Sequence, residues 1–175
     1  IGGFPVRLLI DRAGIVGEDG ETHQGLFDVS FLASVPDMTV YSPCYYSELE
    51  NDIKRAAKED RFCAVRYPRG CEKQEPDLDF SGDFTVINGG KKAIVTYGRL
   101  FSDALEAKAV CKDISIVKLN KIYPLSRELT DRLKEFNEIH FFEEGIRSGG
   151  IAELCAVRLL EEGYGGIYKI HAVEN

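Results

Sequence analysis

Ala93-Ile94-Val95-Thr96-Tyr97, then Leu100, Ala104, Ala107 and Cys111 at helical spacing, then Ile114-Ser115-Ile116-Val117, is the stretch whose reading decides the fold. Both apolar runs are nearly continuous, as in strands covered on both faces. The spacing between them predicts a helix with one apolar face. Strand, helix and strand in that order make a right-handed crossover in a mostly parallel sheet. The same alternation extends outward. Further strands are predicted over 84–87, 139–142 and 167–172, beside those over 93–97 and 114–119. Leu129, Leu133 and Phe136 share a helical face after a Ser126 cap, and Ile151, Leu154, Cys155 and Arg158 share another that ends at Gly163. Residues 83–175 therefore read as an α/β unit.

The first part is less regular. Residues 5–10 (Pro-Val-Arg-Leu-Leu-Ile) form a short β-rich run, and residues 11–25 lose all apolar period. A short helix is expected over 26–33 and a strand over 38–41, closed by Ser42-Pro43. Leu49, Ile53, Ala56 and Ala57 predict a helical face, with Ser47 and Glu50 at capping-box spacing or a start nearer Cys44. A third strand is expected over 62–67, ending at Pro68-Arg69-Gly70. Residues 71–82 (CEKQEPDLDFSG) are acidic and aperiodic, the best place for a linker between units 1–70 and 83–175.

Composition narrows the function. Of 175 residues, 44% are hydrophobic and 29% charged, ordinary for a globular protein with a real core. The net charge is −7, against the basic face that nucleic acid requires. No apolar run approaches the roughly 18 residues of a membrane helix, and no signal peptide is visible. Cys44, Cys63, Cys71, Cys111 and Cys155 are irregularly spaced without a CxxC, so they read as reduced thiols of a cytosolic protein, mostly interior, with no zinc site. The chain opens Ile1-Gly2-Gly3-Phe4 without Met and ends beside a strand, which suggests a piece of a longer protein.

The common motifs GxGxxG, GxxxxGK[ST], HExxH and GxSxG are absent. His140 and His171 sit in apolar strand runs and read as structural. Residues 11–25 (DRAGIVGEDGETHQG) differ: they concentrate His23, Arg12 and the acids Asp11, Glu18, Asp19 and Glu21 on glycines, directly after a strand. Parallel sheets bind ligands beyond the carboxyl ends of their strands, and histidine moves protons near neutral pH. A solvated acidic turn carrying a stray histidine accounts for the composition equally well. Arg66 and Arg69, in Ala64-Val65-Arg66-Tyr67-Pro68-Arg69-Gly70, suit a phosphate by their guanidinium forks or are surface arginines bridging acids.

Taken together, residues 11–25, Ser42-Pro43 and residues 64–70 resemble the 1-deoxy-D-xylulose-5-phosphate synthase family, which is transketolase-like and thiamine-diphosphate-dependent. Glu18-Asp19-Gly20-Glu21-Thr22-His23-Gln24 is shared in outline with transketolases, while Asp11-Arg12-Ala13-Gly14 and Arg66-Tyr67-Pro68-Arg69-Gly70 point to the synthases. Residues 1–70 resemble the second half of the pyrimidine-binding domain. Residues 83–175 resemble a truncated C-terminal domain, with Glu143-Glu144-Gly145 and Gly149-Gly150 in expected places. The resemblance implies condensation of pyruvate with glyceraldehyde 3-phosphate, releasing carbon dioxide, in isoprenoid and thiamine precursor synthesis. It makes Arg12 and Arg69 phosphate-gripping residues. It puts His23 beside the reacting carbons as a proton or hydrogen-bond donor, and Asp19 as an orienting group; Arg66 is favoured as structural.

The departures from the family are equally informative. Its cofactor-activating Glu, the aromatic residues around the pyrimidine ring and the domain holding the diphosphate and Mg2+ would all precede Ile1, and the last stretch of the C-terminal domain is missing. The expectation is that these residues alone bind no thiamine diphosphate or metal and catalyse nothing. The intact protein is expected to be a homodimer in a bacterial cytoplasm or a plastid, with no nucleic-acid or membrane partner. Two alternatives stay open: a transketolase or 2-oxoacid dehydrogenase β-type subunit, and a non-catalytic dimerisation module. Gly149-Gly150 at a helix start would serve an anion or, as the favoured reading, helix packing.

Overall fold

The computed structural model describes residues 5–174; Ile1–Phe4 and Asn175, where the readings of the chain ends fall, lie outside the described residues. The molecule is mixed α/β, with two mostly parallel sheets. The first joins β1 (Arg7–Ile10), β3 (Cys63–Arg66), β2 (Thr39–Tyr41) and β7 (Lys121–Tyr123), in that spatial order. β1 and β2 both run parallel to β3, and β7 runs antiparallel to β2. The second sheet has the order β4 (Phe84–Ile87), β6 (Ile114–Leu119), β5 (Lys92–Tyr97), β8 (Glu138–Ile146), β9 (Ile167–Val173). Only its β4–β6 pair is antiparallel.

Local chemistry explains the helices between the strands. α1 (Asp28–Ala33) and α2 (Tyr46–Lys58) belong to the first part, and α3 (Leu100–Val110), α4 (Arg127–Leu133) and α5 (Ile151–Glu161) to the second. The predicted Ser126 cap is present: its Oγ accepts from the Leu129 amide at 3.2 Å. At the far end of α5, Gly163 takes φ +82, the left-handed conformation that glycine adopts without a Cβ clash.

Three predictions need correction. The buried face of α2 is Glu48, Asp52 and Ala56, while Ile53 and Ala57 are exposed. The capping glutamate is Glu48, whose Oε2 accepts from the amides of Cys44 and Tyr45 at 3.0 and 3.1 Å; Glu50 pairs with Lys54 instead, and Ser47 donates to Glu75. On α3 the buried residues are Phe101, Ser102 and Ala104, and Ala107 and Cys111 are exposed. On α2 the side turned inward is partly charged, and apolar spacing cannot register buried charges that have partners elsewhere in the chain; on α3 the buried side lies at Phe101 and Ala104 in the first turns, with the Ser102 hydroxyl donating to the Arg99 carbonyl at 2.8 Å. Among the cysteines, Cys44, Cys63 and Cys155 are buried, Cys71 and Cys111 are exposed, and all are free thiols.

β7 was not foreseen. It is three residues long, with only Ile122 fully buried, too short for any period to declare it. It carries residues 121–123 into the first sheet, opposite Val40 and Tyr41. The largest apolar cluster accordingly runs through both sheets, from Val29, Val40 and Ala64 to Val95, Ile122 and Phe141. Residues 71–82 form no helix or strand, yet Leu78 and Phe80 pack on a second cluster around Tyr45 and Phe101.

Candidate functional site

β1 and β3 are adjacent and parallel, with Ile10 opposite Arg66. Whatever follows each strand must therefore emerge side by side at the carboxyl edge of the sheet. That is why Arg12 and Arg69, remote in sequence, meet. The Tyr67 amide donates to the Ile10 carbonyl at 2.9 Å and the Ala13 amide to the Tyr67 carbonyl at 3.0 Å, which extends the pairing past the strands.

Arg12 and Arg69 converge on one carboxylate. Arg12 Nε lies 2.9 Å from Asp19 Oδ2, and Arg69 Nη1 donates to Asp19 Oδ1. Asp19 is 10% exposed, whereas Arg12 and Arg69 are 41% and 45% exposed, so the guanidiniums face water and the carboxylate between them does not. Glu18 and Asp11 stand farther off, at 3.8 Å from Arg69 and 3.6 Å from Arg12. Arg12 has φ +57, a left-handed conformation that a bulky L-residue adopts at a cost of about 1 kcal/mol or more and that clusters at functional sites.

The loop is braced by Gln24, whose side chain acts as a cross-strut. Its Oε1 accepts from the Val16 amide at 2.7 Å, and its Nε2 donates to the carbonyls of Val16 and Asp19 at 2.9 and 3.1 Å. Gly14 and Gly25 exchange backbone hydrogen bonds at 3.1 and 2.9 Å and close the neck of the loop. His23 ends a single helical turn (Glu21–His23), is exposed, and has its Nδ1 2.9 Å from Thr22 Oγ1. Arg12, Asp19 and Arg69 are thus joined directly, whereas His23 stands on the same loop with its ring hydrogen-bonded to Thr22 rather than to that trio.

Arg66 is placed differently. It is buried, with Nε and Nη2 donating to the two oxygens of Asp28 at 2.8 and 3.2 Å and Nη2 also donating to the Gly25 carbonyl at 3.1 Å. Its guanidinium carbon is 5.7 Å from the centre of the Tyr97 ring. A charge so enclosed serves the loop neck, since removing either partner of such a pair costs about 3–5 kcal/mol.

The second sheet completes the surroundings. Tyr97 donates to Glu143 Oε2 at 2.7 Å, and the amides of Ile151 and Ala152 donate to Glu143 at 3.1 Å each. The anion at the Gly149-Gly150 turn is therefore the protein's own carboxylate. A Cβ on Gly150 would lie 2.4 Å from Glu143 Oε1, so the glycine makes room for it. Burial pushes the Glu143 carboxyl above the usual range, against the pull of its three donors. Gln24, Asp28, Arg99 and Glu144 are contributors that residue-type reasoning passed over; Arg99, just past a parallel strand, carried the same positional signal that singled out Arg69.

Away from this edge, His140 and His171 form their own group: His140 Nδ1 is 3.0 Å from His171 Nε2, and His140 Nε2 is 3.0 Å from Glu138 Oε1. A cleft of about 270 Å³ opens beside Arg69, between Tyr46 and Arg99; its lining does not include Arg12, Asp19 or His23. No three His, Cys, Asp or Glu side chains among the described residues come together as a metal site. No helix among them is long and apolar enough to cross a membrane.

Comparison with known proteins agrees with this architecture. Residues 1–72 match the family model for the transketolase pyrimidine binding domain. A 1-deoxy-D-xylulose-5-phosphate synthase of Clostridium perfringens is 38% identical over 172 aligned residues, covering 92% of this chain and 28% of the relative. The corresponding enzyme of Aliarcobacter butzleri is 35% identical over 178 aligned residues, covering 98% of this chain and 29% of the relative. Among solved structures, a split-gene transketolase described as an inactive β4 tetramer superposes with a TM-score of 0.76 at 25% identity, covering 96% of this chain and 56% of that one. The chain spans between a quarter and a third of the length of the curated relatives it matches. Parallel sheets and these likenesses agree: residues 1–72 match the transketolase pyrimidine binding domain, and nearly the whole chain is similar to part of the 1-deoxy-D-xylulose-5-phosphate synthases.

Proposed function

We propose that this chain supplies the acceptor-phosphate site of an enzyme that condenses pyruvate with glyceraldehyde 3-phosphate to 1-deoxy-D-xylulose 5-phosphate and carbon dioxide. The observation that carries the reading is the meeting of Arg12 and Arg69 on Asp19. A phosphate dianion needs fixed positive charge presented by planar forks, and two half-exposed guanidiniums on adjacent parallel strand ends offer it. Asp19 aims both forks while no ligand is bound. His23, exposed on the same loop, is the group to give a proton or hydrogen bond to the acceptor's oxygen as charge develops there.

In this reading residues 1–70 are the later half of the pyrimidine-binding domain, 71–82 a linker and 83–175 most of the C-terminal domain. Thiamine diphosphate and Mg2+ belong to the intact enzyme. In this reading the cofactor's own chemistry falls to other residues of the intact enzyme, and the chain alone is inactive. The intact enzyme is a homodimer of a bacterial cytoplasm or a plastid.

Arg69→Ala in the full-length protein tests the reading. The KM for glyceraldehyde 3-phosphate should rise by about tenfold or more, the value of one charge-assisted contact, with the pyruvate KM within about twofold. Equal changes in both constants would overturn it. A transketolase activity is the second reading, favoured by the 96% coverage in the split-gene neighbour; turnover of ketose donors without pyruvate would establish it instead.

A further inference from the structure

The neck of the site loop is held from the other sheet as well as from its own. Arg99 follows β5 and Glu144 lies in β8, two adjacent parallel strands. Arg99 Nε donates to the two oxygens of Glu144 at 3.0 and 2.7 Å. Its Nη2 donates to the Ile15 carbonyl at 2.5 Å and also to Glu144. The Glu144 carboxylate in turn lies against Gly14, where a Cβ would come within 2.6 Å of Oε2; the φ of +86 at Gly14 excludes most side chains in any case. Close by, the Ile146 amide donates to the Leu26 carbonyl at 2.9 Å. The neck thus sits between two ion pairs, Arg66–Asp28 from below and Arg99–Glu144 from across the seam.

We propose that Arg99 and Glu144 are positioning residues for the arginine pair. They pin Gly14 and Ile15, two of the residues between Arg12 and Asp19, and so keep Arg12 in its left-handed conformation. Without the pin, relaxation at Arg12 swings its guanidinium away from Arg69. Arginine is required at position 99 because one fork must reach a carboxylate side-on and a carbonyl at the same time, which an ammonium does not do. The Arg99–Glu144 pair is partly solvated, 40% and 14% exposed, so losing it should loosen the neck without unfolding the sheets. The link to substrate rests on the phosphate reading of Arg12 and Arg69; the link to loop order does not.

The test uses Arg99→Met and Arg99→Lys in the full-length protein, read by amide hydrogen exchange and by steady-state kinetics. In Arg99→Met, exchange at the Gly14 and Gly25 amides should accelerate by about tenfold while amides in β5 and α5 stay unchanged. The KM for glyceraldehyde 3-phosphate should rise by about tenfold, with the pyruvate KM within about twofold. Arg99→Lys keeps the charge and should restore less than half of either effect. Unchanged loop exchange overturns the proposal, since it shows that Arg99 does not hold the loop; equal acceleration throughout the second sheet or an equal rise in both KM values also overturns it, since each marks a merely structural residue. Failure of Arg69→Ala to move the acceptor KM would remove the phosphate reading, while loop exchange in Arg99→Met still reports on the pin.

Discussion

Two ionic clusters in this protein use the same side-chain chemistry in opposite surroundings. At the carboxyl edge of the first sheet, Arg12 and Arg69 share Asp19 with their guanidiniums open to water. At the seam between the sheets, the Lys118 ammonium pairs with Glu48, both essentially fully buried, and donates to Asn120 Oδ1 at 2.8 Å. The rings of Phe80 and Phe101 cover it, with centroids 5.1 and 5.6 Å from the nitrogen. The exposed cluster is weakly stabilising and exchangeable, because water and a ligand can both replace Asp19. The buried cluster cannot exchange partners, because neither charge has water to fall back on. Like side chains therefore make an open cluster, the proposed phosphate site, in one place and a staple between α2 and β6 in the other.

The largest expected effect breaks the staple. Lys118→Met should cost about 3–5 kcal/mol in urea unfolding, because Glu48 would keep a buried charge without its counter-ion. A loss under about 1 kcal/mol would mean that the seam is wetter than the geometry indicates.

The next sharpens the same region by pH. Burial, and then the neighbouring Glu48 carboxylate, raise Asp52 from the ordinary 3.8 to about 7, against the pull of Lys118 and Arg55. A folded-state value above the unfolded one means that folding favours the protonated acid. Its stabilisation is complete below about pH 4 and is lost as pH rises through about 7. Asp52 Oδ2 has no hydrogen-bond partner and Oδ1 stands 3.8 Å from Arg55 Nη1, so an amide there gives up one long ion pair. Asp52→Asn should be more stable than the parent by about 3–4 kcal/mol at pH 8, less what the lost Arg55 pair contributes, with the two converging below pH 4 in thermal melts. Parallel curves across that range would contradict the assignment.

The smallest effect belongs to the exposed cluster. Arg69→Ala should change unfolding free energy by less than about 1 kcal/mol even as it weakens the acceptor site. A larger loss would make Arg69 a structural residue and erase the contrast between the clusters.

The alternation of strands and helices was legible in the sequence because strand and helix periods are local. The runs at 93–97 and 114–119 correspond to β5 and β6 almost residue for residue. The inward face of α2 was not legible, since Glu48 is tolerated inside because Lys118 arrives from a distant strand. The trio of Arg12, Asp19 and Arg69 was reached through the motifs at 11–25 and 64–70. Gln24 lay in plain view inside the first motif, but an amide gives no sign of bracing until the loop closes around it.

By itself, the order of residues determined the mostly parallel second sheet, the three strands of residues 1–70, the loop after β1 and which side chains stand at strand ends, because these follow from local period and chain direction. Tertiary structure alone decided that β7 crosses to the first sheet, that Glu143 fills the α5 turn and that Arg99 reaches the Ile15 carbonyl. The β7 crossing and the Arg99 contact join residues distant in sequence and depend on an alignment of two sheets that appears only once their shared apolar core has closed, whereas the Glu143 contact spans eight residues and needs only α5 packed back on β8.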